Sequence, residues 1–170
     1  MIEVLVIAGP AAVGKTSVAN EVSAQLRAAD IAHAVIDTDA LDDVYPVPDE
    51  QWRLTERNLA SVWQSFRELG TRRLIVAGVY MHRESELPWI RRASGADRLI
   101  LVRLSASPRT LGERVGRREI GSALDDQLAR TLLQADALAA EAVPGAPVIE
   151  TDGRMVPDVA AEIVELLGWD

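Results

Sequence analysis

The sequence predicts a three-layer α/β/α domain: a five-stranded parallel sheet with helices on both faces. Segments of strand type and helix type alternate from end to end of the 170 residues. The strand segments are near-continuous apolar runs, as strands buried on both sides must be. Connections are short, with no repeat, linker or low-complexity stretch, so residues 1–170 are expected to form one domain.

The first strand is Ile2–Ala8, "IEVLVIA", five of whose seven residues are β-branched or Leu. A helix over Lys15–Ala29 follows, then a strand at Ala34–Asp37. Trp52, Leu59, Val62, Trp63 and Phe66 recur at helical spacing and are assigned to the core, which predicts a helix over Asp49–Leu69 stopped by Gly70. Strands are placed at Arg73–Val79 and Arg98–Leu104, helices at Pro108–Arg118 and Asp126–Ala142, and a last strand at Pro147–Glu150. The final helix, Pro157–Leu167, has Pro in its first turn and Gly168 just past its end.

Bulk properties narrow the function. Hydrophobic content of 48% and charged content of 26% describe a globular protein, and a net charge of −8 argues against nucleic acid or an anionic membrane as a partner. There is no Cys, so disulfides and thiolate metal sites are excluded, and the composition suits a reducing cytoplasm. The apolar start lacks a basic n-region and reads as a strand rather than a leader or a span. A monomer or homodimer is expected.

Residues 9–17 read "GPAAVGKTS" and fit G-x-x-x-x-G-K-[ST] with Gly9, Gly14, Lys15 and Thr16 in register. The pattern follows a strand and opens a helix, the setting a phosphate cradle requires. Gly9, Ala11, Ala12, Val13, Gly14, Lys15, Thr16 and Ser17 are therefore the candidate nucleotide-binding loop. Glycines let the main chain wrap a phosphate and the helix adds the positive end of its dipole. Lys15 is expected on the β- and γ-phosphates of ATP, and the Thr16 hydroxyl on Mg²⁺. Of the 18 Lys and Arg residues only Lys15 is Lys. A compact ammonium fits inside such a loop where a planar guanidinium does not, which marks Lys15 as functionally constrained.

The single lysine also rules out a base-reading N-K-x-D, and no strand ends in Asp-Glu, so a nucleotide switch or motor is disfavoured. Instead "AHAVI" runs into "DTD". Asp37 and Asp39 fall at the carboxyl end of a parallel strand, where open α/β sheets bind ligands, and share a side if the strand continues that far. One can serve Mg²⁺, with Asp37 the candidate metal residue beside Thr16; the other can accept a proton from an attacking hydroxyl.

A second constellation lies in "SPRTLGERVGRREIG". Glu113 and Arg117 stand at i,i+4 as an ordinary surface pair, which leaves Arg114 and Arg118 as like charges on one face. Such a pair costs roughly 0.2–0.5 kcal/mol unless an anion lies beside it. The polar segment that follows, about 117–127, is a candidate lid.

With these residues the chain resembles the small P-loop kinases: shikimate, gluconate, adenylyl-sulfate and nucleoside monophosphate kinases, with chloramphenicol phosphotransferase as a relative. The resemblance implies the P-loop NTPase fold with sheet order 2-3-1-4-5 and a short lid. It implies that Arg114 packs on adenine, that Arg118 faces the transferring phosphate, and that Asp37 and Asp39 serve Mg²⁺ and the acceptor hydroxyl. It also implies that main chain at Thr151–Gly153 lies against the base, with Arg154 a nearby candidate. The third strand ends in "AGVYMHRE", which matches neither D-G-[FY]-P-R nor the Gly triplet of shikimate kinases, so the acceptor stays open.

The acceptor is expected between the Asp37–Asp39 strand end, the first turns of the Asp49–Leu69 helix, and the loop carrying Tyr80, His82 and Arg83. Arg53 and Arg57 are like charges at i,i+4 that become favourable if they face an anionic acceptor; otherwise Glu50 and Glu56 neutralise them in solvent. Arg130 is placed within reach of the phosphates, and His33 is expected to be exposed and silent. The expected activity is ATP-dependent phosphoryl transfer to a small hydroxyl- or phosphate-bearing metabolite, catalysed by Lys15, Asp37, Asp39 and Arg118. The alternative is a nucleotide-binding regulatory protein, or an ATPase without a small-molecule acceptor.

Overall fold

The computed structural model describes residues 1–78, 87–118, 124–141 and 143–169. Its strands are β1 (Glu3–Ala8), β2 (Ala34–Asp37), β3 (Arg73–Gly78), β4 (Arg98–Ser105) and β5 (Val148–Glu150). All pairings are parallel and the order is β2-β3-β1-β4-β5, the order the resemblance implies. The helices are α1 (Lys15–Ala28), α2 (Gln51–Glu68), α3 (Leu87–Ser94), α4 (Pro108–Arg118), α5 (Leu124–Ala140) and α6 (Val156–Leu167).

The central strand β1 is fully buried from Val4 to Ala8, and its alternate residues enter two different cores. Leu5 and Ile7, with Ile75, Val102 and Leu104, pack under α1 and α6 through Val18, Val22, Leu26, Val159 and Ile163. On the opposite face Val4, Val6 and Ala8 meet Leu59 and Trp63 of α2 and Trp89 and Ile90 of α3. Trp63 has its indole N–H satisfied by the Ser94 carbonyl at 2.8 Å, so it joins α2 to α3 as well as filling the core. Removing a buried Trp of this kind costs about 3–5 kcal/mol.

Four local departures from the sequence expectations have physical causes. Helix α3 was not anticipated: its apolar signal, Leu87, Trp89 and Ile90, is too short to be told from a loop. Trp52 is 44% exposed rather than core; it lies one turn before the buried stripe of α2, and the Arg53 guanidinium stacks 5.3 Å from its ring. Strand β2 ends at Asp37 and a 3-10 helix takes over at Thr38–Ala40, so strand alternation does not set the direction of Asp39. His33 is half-buried and hydrogen-bonded, at 2.7 Å from the Ile31 carbonyl and 2.8 Å from Ser23 Oγ. Residues 119–123 of the expected lid, and Val79, lie outside the described residues.

Candidate active site

The loop between β1 and α1 is shaped by two glycines. Gly9 sits at φ 153°, and a Cβ on it would stand 2.8 Å from both the Leu104 carbonyl and Val13 Cγ1, so close packing against β4 adds to a backbone that already favours glycine. Gly14 has open space around it but sits at φ 108°, a conformation side chains resist. Ala12 also takes a positive φ, 59°. The loop thereby curls back on itself and Gly14 opens α1 with no side-chain cap, which leaves the first main-chain amides of that helix for a ligand.

Ala11 to Ser17 line one wall of a cleft of about 630 Å³, a size that suits a nucleotide. Gly9 does not line it; its part is to hold the loop on β4. Lys15 is only 7% exposed. Its Nζ donates to the Pro10 carbonyl at 3.0 Å, which folds the side chain over its own loop. Burial pushes the Lys15 pKa below the ordinary 10.5; Asp39 and Asp37 oppose that shift and Arg118 adds to it. An ammonium desolvated in this way gains strongly from an anion.

Thr16 Oγ1 donates to Asp37 Oδ2 at 2.7 Å, and Asp37 Oδ1 accepts the Asp39 amide at 3.1 Å. The one carboxylate thus faces the loop and caps the 3-10 helix that carries Asp39 into the cleft lining. Thr38 fixes the same turn by donating to the Ala77 carbonyl of β3 at 3.1 Å.

The opposite wall comes from α4, α5 and the turn after β5. Arg114 is pinned edge-on: Nη1 donates to the Val13 carbonyl at 2.8 Å and to Thr151 Oγ1 at 3.0 Å, while Nη2 donates to the Thr151 carbonyl at 3.1 Å. That turn is braced in its own right, because Asp152 Oδ2 accepts the Ser107 amide at the start of α4 at 2.9 Å. Burial pushes the Asp152 pKa up, but hydrogen bonds from Ser107 and Thr110 and the charge of Arg114 outweigh it and hold the carboxyl below 3.8. Arg118 and Arg130 line the cleft from α4 and α5, and Arg154 lines it while paired to Glu162 at 2.8 Å.

Other expectations are not met. Glu113 pairs with Arg109 at 3.0 Å instead of Arg117. Arg53 and Arg57 do not line the cleft: they flank a separate groove with Val44, Pro46 and Leu54, and Arg53 is paired to Glu50 at 2.8 Å. Glu56 does not neutralise them either, since it takes Arg92 of α3 at 2.9 Å. Tyr80, His82 and Arg83 lie outside the described residues.

Four polar residues of the cleft carry no signal used in the sequence analysis: Asp42, Gln51, Gln127 and Gln134. Gln134 Oε1 accepts the Ala11 amide at 2.9 Å, a direct tie between α5 and the loop. The signal for the α5 set was present, because Gln127, Arg130 and Gln134 fall at i, i+3 and i+7 on one helix face. Asp42 gave none, being one of several acids in a polar stretch.

No protein-family model matches this chain, and no curated protein does. Solved structures do resemble it. A sugar kinase from a Janibacter species has a TM-score of 0.65 at 19% identity, over 99% of this chain and 96% of that one. A gluconokinase from Sinorhizobium meliloti gives 0.60 at 20%, over 97% and 91%. A shikimate kinase from Acinetobacter baumannii gives 0.61 at 17%, over 98% and 93%. At these identities the likeness is one of fold alone, a fold this chain shares with these three kinases.

Proposed function

We propose that this chain is an ATP-dependent phosphotransferase that moves the γ-phosphoryl group to a hydroxyl of a small metabolite. The observation that carries the reading is Lys15, buried in a loop of main-chain amides and sharing a cleft with Arg118 and Arg130 from the far wall. A buried ammonium among main-chain amides costs free energy unless an anion joins it, and the exposed Arg118 and Arg130 across the cleft extend the positive charge it would meet. A triphosphate is the polyanion this strand-loop-helix arrangement fits.

The loop amides and Lys15 hold the β- and γ-phosphates, and Arg118 faces the charge that spreads over the transferring group. The pinned guanidinium of Arg114 presents its flat face for the base beside Thr151. Thr16 and Asp37 fit Mg²⁺, since a hydroxyl and a carboxylate 2.7 Å apart suit a cation that takes one or two protein oxygens and completes its shell with phosphates and water. Bound there, Mg²⁺ would neutralise developing phosphate charge. Asp39 orients the acceptor hydroxyl and takes its proton. Among the described residues no helix is long and apolar enough to cross a membrane; the cytoplasm is the compartment this reading assigns.

Incubation with ATP and Mg²⁺ over a metabolite panel tests the proposal. ADP formation that requires an acceptor, and falls about 10³-fold in Lys15→Ala, supports it. Equal ADP formation with and without acceptors would make the chain an ATPase, and binding without turnover would make it a regulatory nucleotide sensor.

A further inference from the structure

The cleft is lined by two carboxylates, Asp39 and Asp42, and three carboxamides, Gln51 from α2 and Gln127 and Gln134 from α5. Asp42 is the most constrained of these. It is 7% exposed, and Thr55 of α2, itself buried, donates to Asp42 Oδ2 at 2.6 Å. Gln51 Nε2 donates to the Asp42 carbonyl at 3.3 Å and Asn58 Nδ2 to the Leu41 carbonyl at 2.6 Å, so three positions on the first turns of α2 hold this short segment in place. Among the described residues no hydrogen bond reaches Asp42 Oδ1.

With one oxygen held by Thr55 and the other open to the cleft it lines, this largely buried carboxylate is fixed in place to accept a hydrogen bond from a ligand donor. Ionised, it accepts and cannot donate, so hydroxyls match it and other carboxylates do not. Carboxamides both donate and accept, and their presence on the facing wall suits a ligand whose hydroxyls do the same. The guanidinium pair that would have favoured an acidic acceptor is turned to another groove, with Arg53 already paired to Glu50. Among the described residues, the other cations lining the cleft are Lys15 in the phosphate loop, Arg118 and Arg130, with Arg114 held by the loop and the base turn and Arg154 by Glu162.

Resting on the phosphotransferase reading, we infer that the acceptor is a neutral polyol with adjacent hydroxyls, of sugar or cyclitol type, recognised by Asp42. Carboxylate- or phosphate-bearing acids are rejected by the charge of Asp42 and Asp39. In the reaction an acceptor hydroxyl oxygen bonds to the γ-phosphorus as the bond from that phosphorus to the β,γ-bridging oxygen breaks. ADP departs with the bridging oxygen, and the hydroxyl proton passes to Asp39 and then to water.

Matched acceptors test this: aldoses, alditols and cyclitols against the corresponding aldonic acids and phosphate monoesters, with ADP formation followed in wild type, Asp42→Asn and Thr55→Val. The neutral members should exceed their acids by about 100-fold in kcat/KM, in keeping with like-charge rejection by Asp42 and Asp39. Asp42→Asn should raise the neutral acceptor's KM and shrink that preference at least about tenfold. Thr55→Val, which frees the carboxylate without removing its charge, should raise KM and keep the preference. Melting temperatures establish that both variants fold. Acids turned over as well as or better than neutral polyols, or a preference unchanged in Asp42→Asn, would overturn the inference while leaving the phosphotransferase intact. No acceptor-dependent ADP from any compound, with an ATP analogue still bound, would end both readings together.

Discussion

Thr16 and Asp37 lie 21 residues apart, on the first turn of α1 and the end of the edge strand β2, yet the hydroxyl of one donates to the carboxylate of the other at 2.7 Å. Strand β3 intervenes between their strands in the sheet, so this contact is made only above the carboxyl ends, where the loops converge. It links the phosphate loop to the turn that carries Asp39.

Two substitutions at Asp37 separate its roles. Asp37→Asn keeps an oxygen that can accept the Asp39 amide but loses the charge; it should raise the Mg²⁺ concentration for half-maximal rate roughly 10–100-fold with little change in melting temperature. Asp37→Ala should show the same metal dependence and lose a further ~1 kcal/mol of stability, because the 3-10 helix loses its cap. Metal titrations and thermal melts read the two effects independently.

Gly9→Ala and Gly14→Ala should both destabilise the loop, by different routes. At Gly9 the added methyl meets a main-chain carbonyl that cannot retreat, an overpacking cost of about 1–3 kcal/mol. At Gly14 nothing is struck and the cost is strain at φ 108°, again about 1–3 kcal/mol. A second change that shortens Val13, to Ala, should relieve part of the Gly9→Ala cost and none of the Gly14→Ala cost in denaturant melts.

The frame was legible because its signals are long and consistent. Five apolar runs alternate with helical periods, and a glycine-bounded loop fixes where the ligand end lies. Asp37, Asp39, Arg118 and Arg130 could be named from position alone, since the ends of parallel strands and the helices facing them converge there. What sequence could not give was the partner of each exposed charge. Arg53 and Glu113 each had more than one opposite charge within a helical turn, and the choice is made by side-chain direction and neighbouring helices. Asp42 is defined only by Thr55, Gln51 and Asn58 arriving from another element, a tertiary fact with no local pattern.

Arg114 should behave as a brace as well as a ligand. Arg114→Lys keeps the charge but cannot span the Val13 carbonyl and the Thr151 turn together. The expected result is an increase of about tenfold in KM for ATP with kcat largely kept, together with a lower melting temperature in the absence of nucleotide. Arg114→Ala should exaggerate both effects.

Lys15 has a pH signature in the nucleotide-free protein. Its pKa is below 10.5 in the folded state, so the unfolded chain binds that proton more tightly, and stability rises with pH between the lowered value and 10.5. Relative to Lys15→Met, which has nothing to titrate, the wild type should gain stability as pH climbs through that window. Saturating ATP should abolish the difference in slope, because the phosphates restore the charged form. Denaturant unfolding of both proteins at a series of alkaline pH values measures it.

The most direct measurement is calorimetric titration of a non-hydrolysable ATP analogue with Mg²⁺ into wild type and Lys15→Ala. The wild type should bind one equivalent, and the variant should bind at least about 100-fold more weakly with its melting temperature unchanged or raised, as removal of a desolvated ammonium allows. Equal affinity in the two proteins, or no binding to the wild type, would contradict the account.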